Sequence, residues 1–261
     1  MVHDCFAMQL NTLDLTRISA GWWAITPVRF EIVCAVTVAF AGLGYLIRGV
    51  SRSGAVAGAA VCFALFAAAG PGGFAALFSL FVVTWLATRM GHARKLRLGT
   101  AEASAGRTAR QVFANLGIAS GCALLYASLG LKAFFLAMTA ALAEAAADTV
   151  SSEFGQAFSE SAWLITTFES VPAGTDGGIT LAGTAAGMGA AVVVSLACTL
   201  TGLVPMRRLW VAVACGVLGM LLDSYLGARF ERRGRLNNDA VNFIGTAAAA
   251  ALASVFLALI A

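Results

Sequence analysis

Long apolar runs alternate along this chain with short breaks of charged, Gly-rich or Pro-rich residues. Counted between breaks, the runs predict helices long enough to cross a bilayer at about residues 30–47, 54–69, 72–88, 111–129, 132–149, 179–204, 208–228 and 241–260. The second and third are short and meet at Gly70-Pro71-Gly72-Gly73, so they form either two crossings or one re-entrant hairpin. The ten-residue polar–apolar alternation of a membrane β-barrel is missing. The expected fold is all-α, a polytopic transmembrane helix bundle of about eight spans (six to eight). It forms one domain over residues 28–261, behind an N-terminal interfacial segment, 1–27, that carries Trp22 and Trp23 as a membrane-surface anchor. That segment has no continuous apolar core, so no cleavable signal peptide is expected.

Composition agrees and narrows the class. With 60% hydrophobic and 11% charged residues among 261, the chain is too apolar for a water-soluble domain, where roughly 45–50% is usual. The six cysteines form no CxxC pair and five lie in apolar runs, which suits small core residues better than zinc ligands or disulfides. His3 and His92 are isolated, which argues against a His-based centre. No P-loop, GxSxG elbow or dinucleotide fingerprint is present, so any nucleotide is held by other means.

With eight crossings, the loops after the first, third, fifth and seventh share a face. Those loops carry Arg48, Arg52, Arg89, Arg94, Lys95, Arg97, Arg107, Arg110, Arg229, Arg232, Arg233 and Arg235, most of the 17 basic residues. The positive-inside rule makes that face cytoplasmic and puts both termini outside, with a bacterial inner membrane the expected location. No nucleic-acid partner is expected, and for Arg94, Lys95 and Arg97 the plain reading is loop charge that touches anionic lipid.

The same face receives the stretch Ala147–Gly178, which holds Asp148, Glu153, Glu160, Glu169 and Asp176 and no Lys or Arg. Carboxylates at a membrane edge without cations beside them are either solvated or neutralised by something outside the sequence, such as Mg²⁺ or Mn²⁺. Glu144 and Asp148 are four apart and stack on one helix face. Asp223 lies deep in its run, where the bland alternative is a buried salt bridge. Thr175-Asp176-Gly177-Gly178 suits a helix cap beside bare backbone N–H groups. Asn237, Asn238, Asp239 and Asn242 are more than one cap needs. Arg107, Gln111 and Asn115 continue one face into the membrane, where forked guanidinium groups suit phosphate oxygens. A faint internal echo pairs ADTVSSEFG with LDSYLGARFE, and TDGGITLAGTAA with NNDAVNFIGTAA.

The ordered set GRTARQVFANLG, ADTVSSEFG, VPAGTDGGITLAGT, DSYLGA and NNDAVNF, over about residues 40–260, resembles the membrane family long called domain of unknown function ninety-two. That family includes the plant and cyanobacterial phytyl-phosphate kinases. Matching positions include Gly106, Arg107, Gln111, Asn115, Asp148, Ser152, Glu153, Asp176, Asp223, Asn238 and Asn242; the family's usual Gln after the Gly-Ala pair is replaced in ARFERR. The resemblance implies phosphorylation of an isoprenoid monophosphate to the diphosphate, with CTP or another nucleoside triphosphate as donor.

On that reading Asp148, Glu153 and Asp176 are catalytic and bind metal, joined by Asp223. Arg107, Gln111, Asn115, Thr175, Gly177, Gly178, Asn238 and Asn242 contact phosphates or nucleotide. The lipid tail lies among Ala- and Gly-rich helices such as residues 179–204. Two other classes use the same residues: a cation-coupled transporter or flippase of a lipid phosphate, and a cytidylyltransferase acting on one. A structural subunit leaves the acidic stretch unexplained.

Overall fold

The computed structural model describes residues 26–101 and 105–260. The expected anchor, Trp22 and Trp23, lies outside the described residues. Eight α-helices follow in order: α1 Pro27–Leu46, α2 Arg52–Arg89, α3 His92–Leu98, α4 Ala109–Leu129, α5 Ala133–Phe158, α6 Leu181–Leu200, α7 Leu209–Arg229 and α8 Asn238–Ile260. All but α3 are long and apolar enough to cross a membrane, so seven long helices are seen among the described residues. α1 begins where the sequence allows it, with Thr26 as cap and Pro27 in its first turn.

α2 resolves the ambiguity at Gly70. A straight helix of 38 residues would be about 57 Å long. Yet both of its ends meet the end of α1: Arg52 donates to the Tyr45 hydroxyl at 3.4 Å, and Arg89 to the Ile47 carbonyl at 2.7 Å. The chain turns back at Gly70, whose φ of 64° and ψ of −157° break the helix before Pro71. Gly73 then packs against the Leu65 carbonyl. Each arm of this hairpin is about 27 Å long, and seven helices therefore make eight apolar passes.

α5 is the axis of the bundle and packs against α2, α4, α6, α7 and α8. Its residues Phe135 to Ala147 are all buried. In a bilayer, helices gain little from the hydrophobic effect on each other, so small residues that allow close approach become the adhesive. Gly183 and Gly187 of α6 rest on the Ser151 and Ala147 carbonyls, and Gly216 and Gly219 of α7 rest on Ala143 and Glu144. Used this way, the glycine face of α6 has no room for a lipid chain against α5.

Four loops meet at one end of the bundle. Gly106, at φ +78°, lies against the Arg48–Val50 backbone, where a Cβ would sit 2.7 Å from the Arg48 carbonyl. That contact pairs Arg107 with Val50 in a parallel bridge. Arg94 donates to the Ser159 carbonyl at 2.6 Å, and Arg110 meets Asp239 at 3.1 Å. Gly72 packs on Thr201 and Leu203 at the opposite end. The acidic stretch, expected as a loop, continues α5 to Phe158 and then folds into a small antiparallel sheet of β1 Ser161–Leu164, β2 Ser170–Pro172 and β3 Gly178–Ile179, in the order β2-β1-β3.

Candidate active site

Between α4, α5, α7, α8 and the small sheet lies a polar cavity of about 290 Å³. Every residue to which the resemblance gave a metal, phosphate or nucleotide role lines it: Arg107, Gln111, Asn115, Asp148, Glu153, Thr175, Asp176, Gly177, Gly178, Asp223, Asn238 and Asn242. α5 supplies Asp148 and Glu153, and α7 brings Asp223 near enough to Asp148 for the two carboxyl groups to act on each other. Arg107 acts on the charge of Asp148 from α4's side and reaches the Thr149 hydroxyl at 3.4 Å. Two carboxyl groups so placed must share a proton or a cation.

The lining is strongly acidic. Glu231 joins Asp148, Glu153, Asp176 and Asp223, against Arg107 as the one basic side chain among the described lining residues. A phosphate cannot enter such a site unless a cation bridges it to the carboxylates. No three His, Cys, Asp or Glu side chains converge as a closed metal cage among the described residues. Mg²⁺ does not need one, because it takes one or two carboxylates and completes its shell with water and phosphate oxygens. Asp148 and Asp176 fit that requirement.

A second cavity, of about 480 Å³, lies between α1, the α2 hairpin and α4. Its walls include Phe40, Val61, Leu77, Leu80, Phe81 and Trp85 with a bare patch at Gly58, and Arg48, Arg89 and His92 also line it. The two cavities share Arg107, Gln111 and Asn115. A largely apolar chamber and an acidic one thus meet at Arg107, Gln111 and Asn115.

The description "Integral membrane protein DUF92" matches residues 35–250. The chain belongs to the DUF92 family of integral membrane proteins. It is 34% identical over 215 residues to protein VTE6 of Arabidopsis thaliana, a chloroplast protein, covering 78% of this chain and 64% of that one. The uncharacterized membrane protein MJ0933 of Methanocaldococcus jannaschii is 37% identical over 171 residues, 65% of this chain and 70% of its own. The uncharacterized membrane protein sll0875 of Synechocystis is 30% identical over 201 residues, 72% of this chain and 75% of its own. No solved structure matches this chain.

Several residues of this DUF92 protein do work other than the sequence suggested. α6 is capped by Thr180, whose hydroxyl accepts from Gly183 N–H at 2.9 Å, and not by Thr175 or Asp176. The Thr175 hydroxyl is spent on the Pro172 carbonyl at 2.7 Å, and Gly178 N–H on the Thr175 carbonyl at 2.8 Å, so that N–H is not a phosphate cradle. Gly177 instead packs on Ala228. Gln111 closes a capping box with Thr108, accepting from its N–H at 2.7 Å, while Asn115 donates to the Gln111 carbonyl at 2.9 Å. Asn237 caps α8 by accepting from Ala240 N–H, and Asp239 binds Arg110, which leaves Asn238 and Asn242 for the cavity.

Lys95 is the largest correction. Read as a lipid-facing loop charge, it is 1% exposed and donates to the Ala87 and Thr88 carbonyls and to Glu153, the last at 2.5 Å. Glu153 thus already holds a cation. Glu160 and Glu169 are exposed and lie outside the cavity lining. Glu231 was missed because it sits among arginines in ARFERR, where its charge reads as a partner for them. Asp148 and Asp223, and the segments before α6 and α8, line the same cavity.

Proposed function

We propose that this protein is a membrane-embedded phosphotransferase that converts an isoprenoid monophosphate to the diphosphate, with CTP or another nucleoside triphosphate as donor. One observation carries the reading: the apolar and acidic cavities meet at Arg107, Gln111 and Asn115. That is the shape required by a hydrocarbon tail ending in a phosphate, and the tail then lies against α1, the α2 hairpin and α4, away from α6. The 480 Å³ chamber is within the usual ligand-pocket range of about 300–1,000 Å³. By the positive-inside rule the shared wall is reached from the cytoplasm, where nucleotide is available.

An oxygen of the bound monophosphate attacks the terminal phosphorus of the donor, the bond to the nucleoside diphosphate breaks, and the leaving group carries away the electron pair. The acceptor is already an anion, so no strong base is needed. Arg107 holds the acceptor phosphate at the mouth of the apolar chamber, and Asn238 and Asn242 face the donor. Asp148 and Asp176 would hold Mg²⁺ or Mn²⁺, whose chemistry is to bridge and neutralise phosphate oxygens. The apolar walls keep water from competing as acceptor.

The test uses purified protein in detergent with Mg²⁺, labelled CTP or ATP and geranylgeranyl or phytyl monophosphate, with products resolved by mass spectrometry. Lipid diphosphate with nucleoside diphosphate is expected. A CDP-lipid with pyrophosphate would replace the reading with cytidylyl transfer, and no product from folded protein would refute both.

A further inference from the structure

Beneath Asp148, one turn deeper along α5, three acceptor oxygens are buried with no hydrogen-bond partner: Glu144 Oε1, Asp223 Oδ2 and Asn242 Oδ1. Their residues are 1%, 9% and 8% exposed. Glu144 and Asp223 both approach Gly245, and Asp223 and Asn242 line the same cavity. Glu144 Oε1 lies on the bare α-carbon of Gly245, and the Asp223 Cβ is 3.4 Å from where a Gly245 side chain would begin. Asn242 is three residues earlier on α8, hence on the same helix face. A Cβ at Gly219 would meet the Glu144 Cγ at 2.6 Å, so glycines on two helices clear the space this carboxylate occupies.

The charges that act on Glu144 are Asp148 and Asp223, both acidic, and those that act on Asp223 are Asp148 and Glu231. Arg107 acts on Asp148. The Thr246 hydroxyl on α8 is spent on the Asn242 and Phe243 carbonyls. Two carboxyl groups within apolar helices are neutralised by protons or by a cation, and three buried acceptor oxygens that meet no donor suit a cation. We propose that Glu144, Asp223 and Asn242 bind a hard divalent cation that ties α5, α7 and α8 together below Asp148, independently of the metal that serves the phosphates. Oxygen-only ligands, two anionic and one neutral, suit Mg²⁺ or Mn²⁺ completed by water. The ion acts as a positioning element: it sets where α5 presents Asp148.

The experiment uses Mn²⁺ as probe on the full chain in detergent, with no lipid and no nucleotide. Bound Mn²⁺ is counted by electron paramagnetic resonance, and melting is followed with and without Mg²⁺. Wild type is expected to bind Mn²⁺ and to melt higher with Mg²⁺. Glu144→Gln should lose one bound Mn²⁺ and the rise in melting that goes with it, while Asp176→Asn, altered on the phosphate side, should keep that ion and that rise. Gly245→Ala retains every ligand and pushes the Glu144 carboxylate aside, so it should weaken Mn²⁺ binding at least tenfold in protein that still elutes as a folded species. Unchanged binding in Glu144→Gln, loss in Asp176→Asn instead, or melting that responds to pH and not to Mg²⁺ would each overturn the site. Because no substrate is used, the outcome is independent of the phosphotransferase reading.

Discussion

Replacing Lys95 with Met would keep the apolar stem and remove the ammonium that Glu153 and two carbonyls at the end of α2 rely on. The side chains of the pair are 1% and 13% exposed, so water cannot replace the lost partner. Stranding one member of a buried ion pair costs about 3–5 kcal/mol. Glu153→Gln leaves an oxygen that still accepts from Lys95, and its expected cost is the smaller ~1.5–3 kcal/mol of a charged hydrogen bond. In the double variant neither charge is stranded, so its loss should fall short of the sum by roughly 1–3 kcal/mol. Equilibrium unfolding in mixed micelles with increasing dodecyl sulfate measures all three. A coupling near zero, or a Lys95→Met loss below about 1 kcal/mol, would refute the pair. If Glu153→Gln instead left unfolding unchanged and weakened Mg²⁺ dependence, Glu153 would be a metal ligand as its sequence context suggested.

Gly58 lines the apolar chamber, and a Cβ there meets nothing within 4 Å. Gly58→Leu should leave folding intact or raise stability by about 0.5–1 kcal/mol, while raising KM more for long prenyl phosphates than for short ones in steady-state assays. Arg107→Lys keeps the charge and loses the fork, and should raise KM for the lipid monophosphate about tenfold, ~1.4 kcal/mol, with a smaller change for nucleotide. Asp148→Asn and Asp176→Asn should each abolish Mg²⁺-dependent turnover in protein that still folds, and retained turnover in either would remove that residue from the phosphate-side metal site. Gly177→Ala forces a side chain at φ +75° into Ala228. It should cost about 1–3 kcal/mol, read as a lower melting temperature.

Much of the site was legible before the fold. Ionisable and amide residues inside apolar runs are costly, so Asp148, Asp223, Arg107 and Asn242 announce a polar chamber by occurring where they do. What escaped is instructive residue by residue. Lys95 looks like any loop cation until α3 folds under the end of α2 and buries it against Glu153, 58 positions away in sequence. Thr180 and Thr175 are both plausible caps for α6, and the β-pairing of Gly178 with Leu164 decides between them. The tail chamber carries no sequence mark at all, since Phe40, Leu77 and Phe81 resemble every other lipid-facing residue.

The sequence by itself determined the solvent, the helical class, the approximate extent of most passes and most of the polar residues that face inward. Each follows from a local cost: unpaired backbone in hydrocarbon demands helices, and a stray charge in a span demands a partner. Only the tertiary structure decided how those helices are used. It turned α2 into a hairpin at Gly70, placed two cavities on either side of Arg107, and set Glu144 against Asp223. Those outcomes depend on which small residues let which helices approach, and that is a property of pairs of surfaces that no single stretch of chain contains.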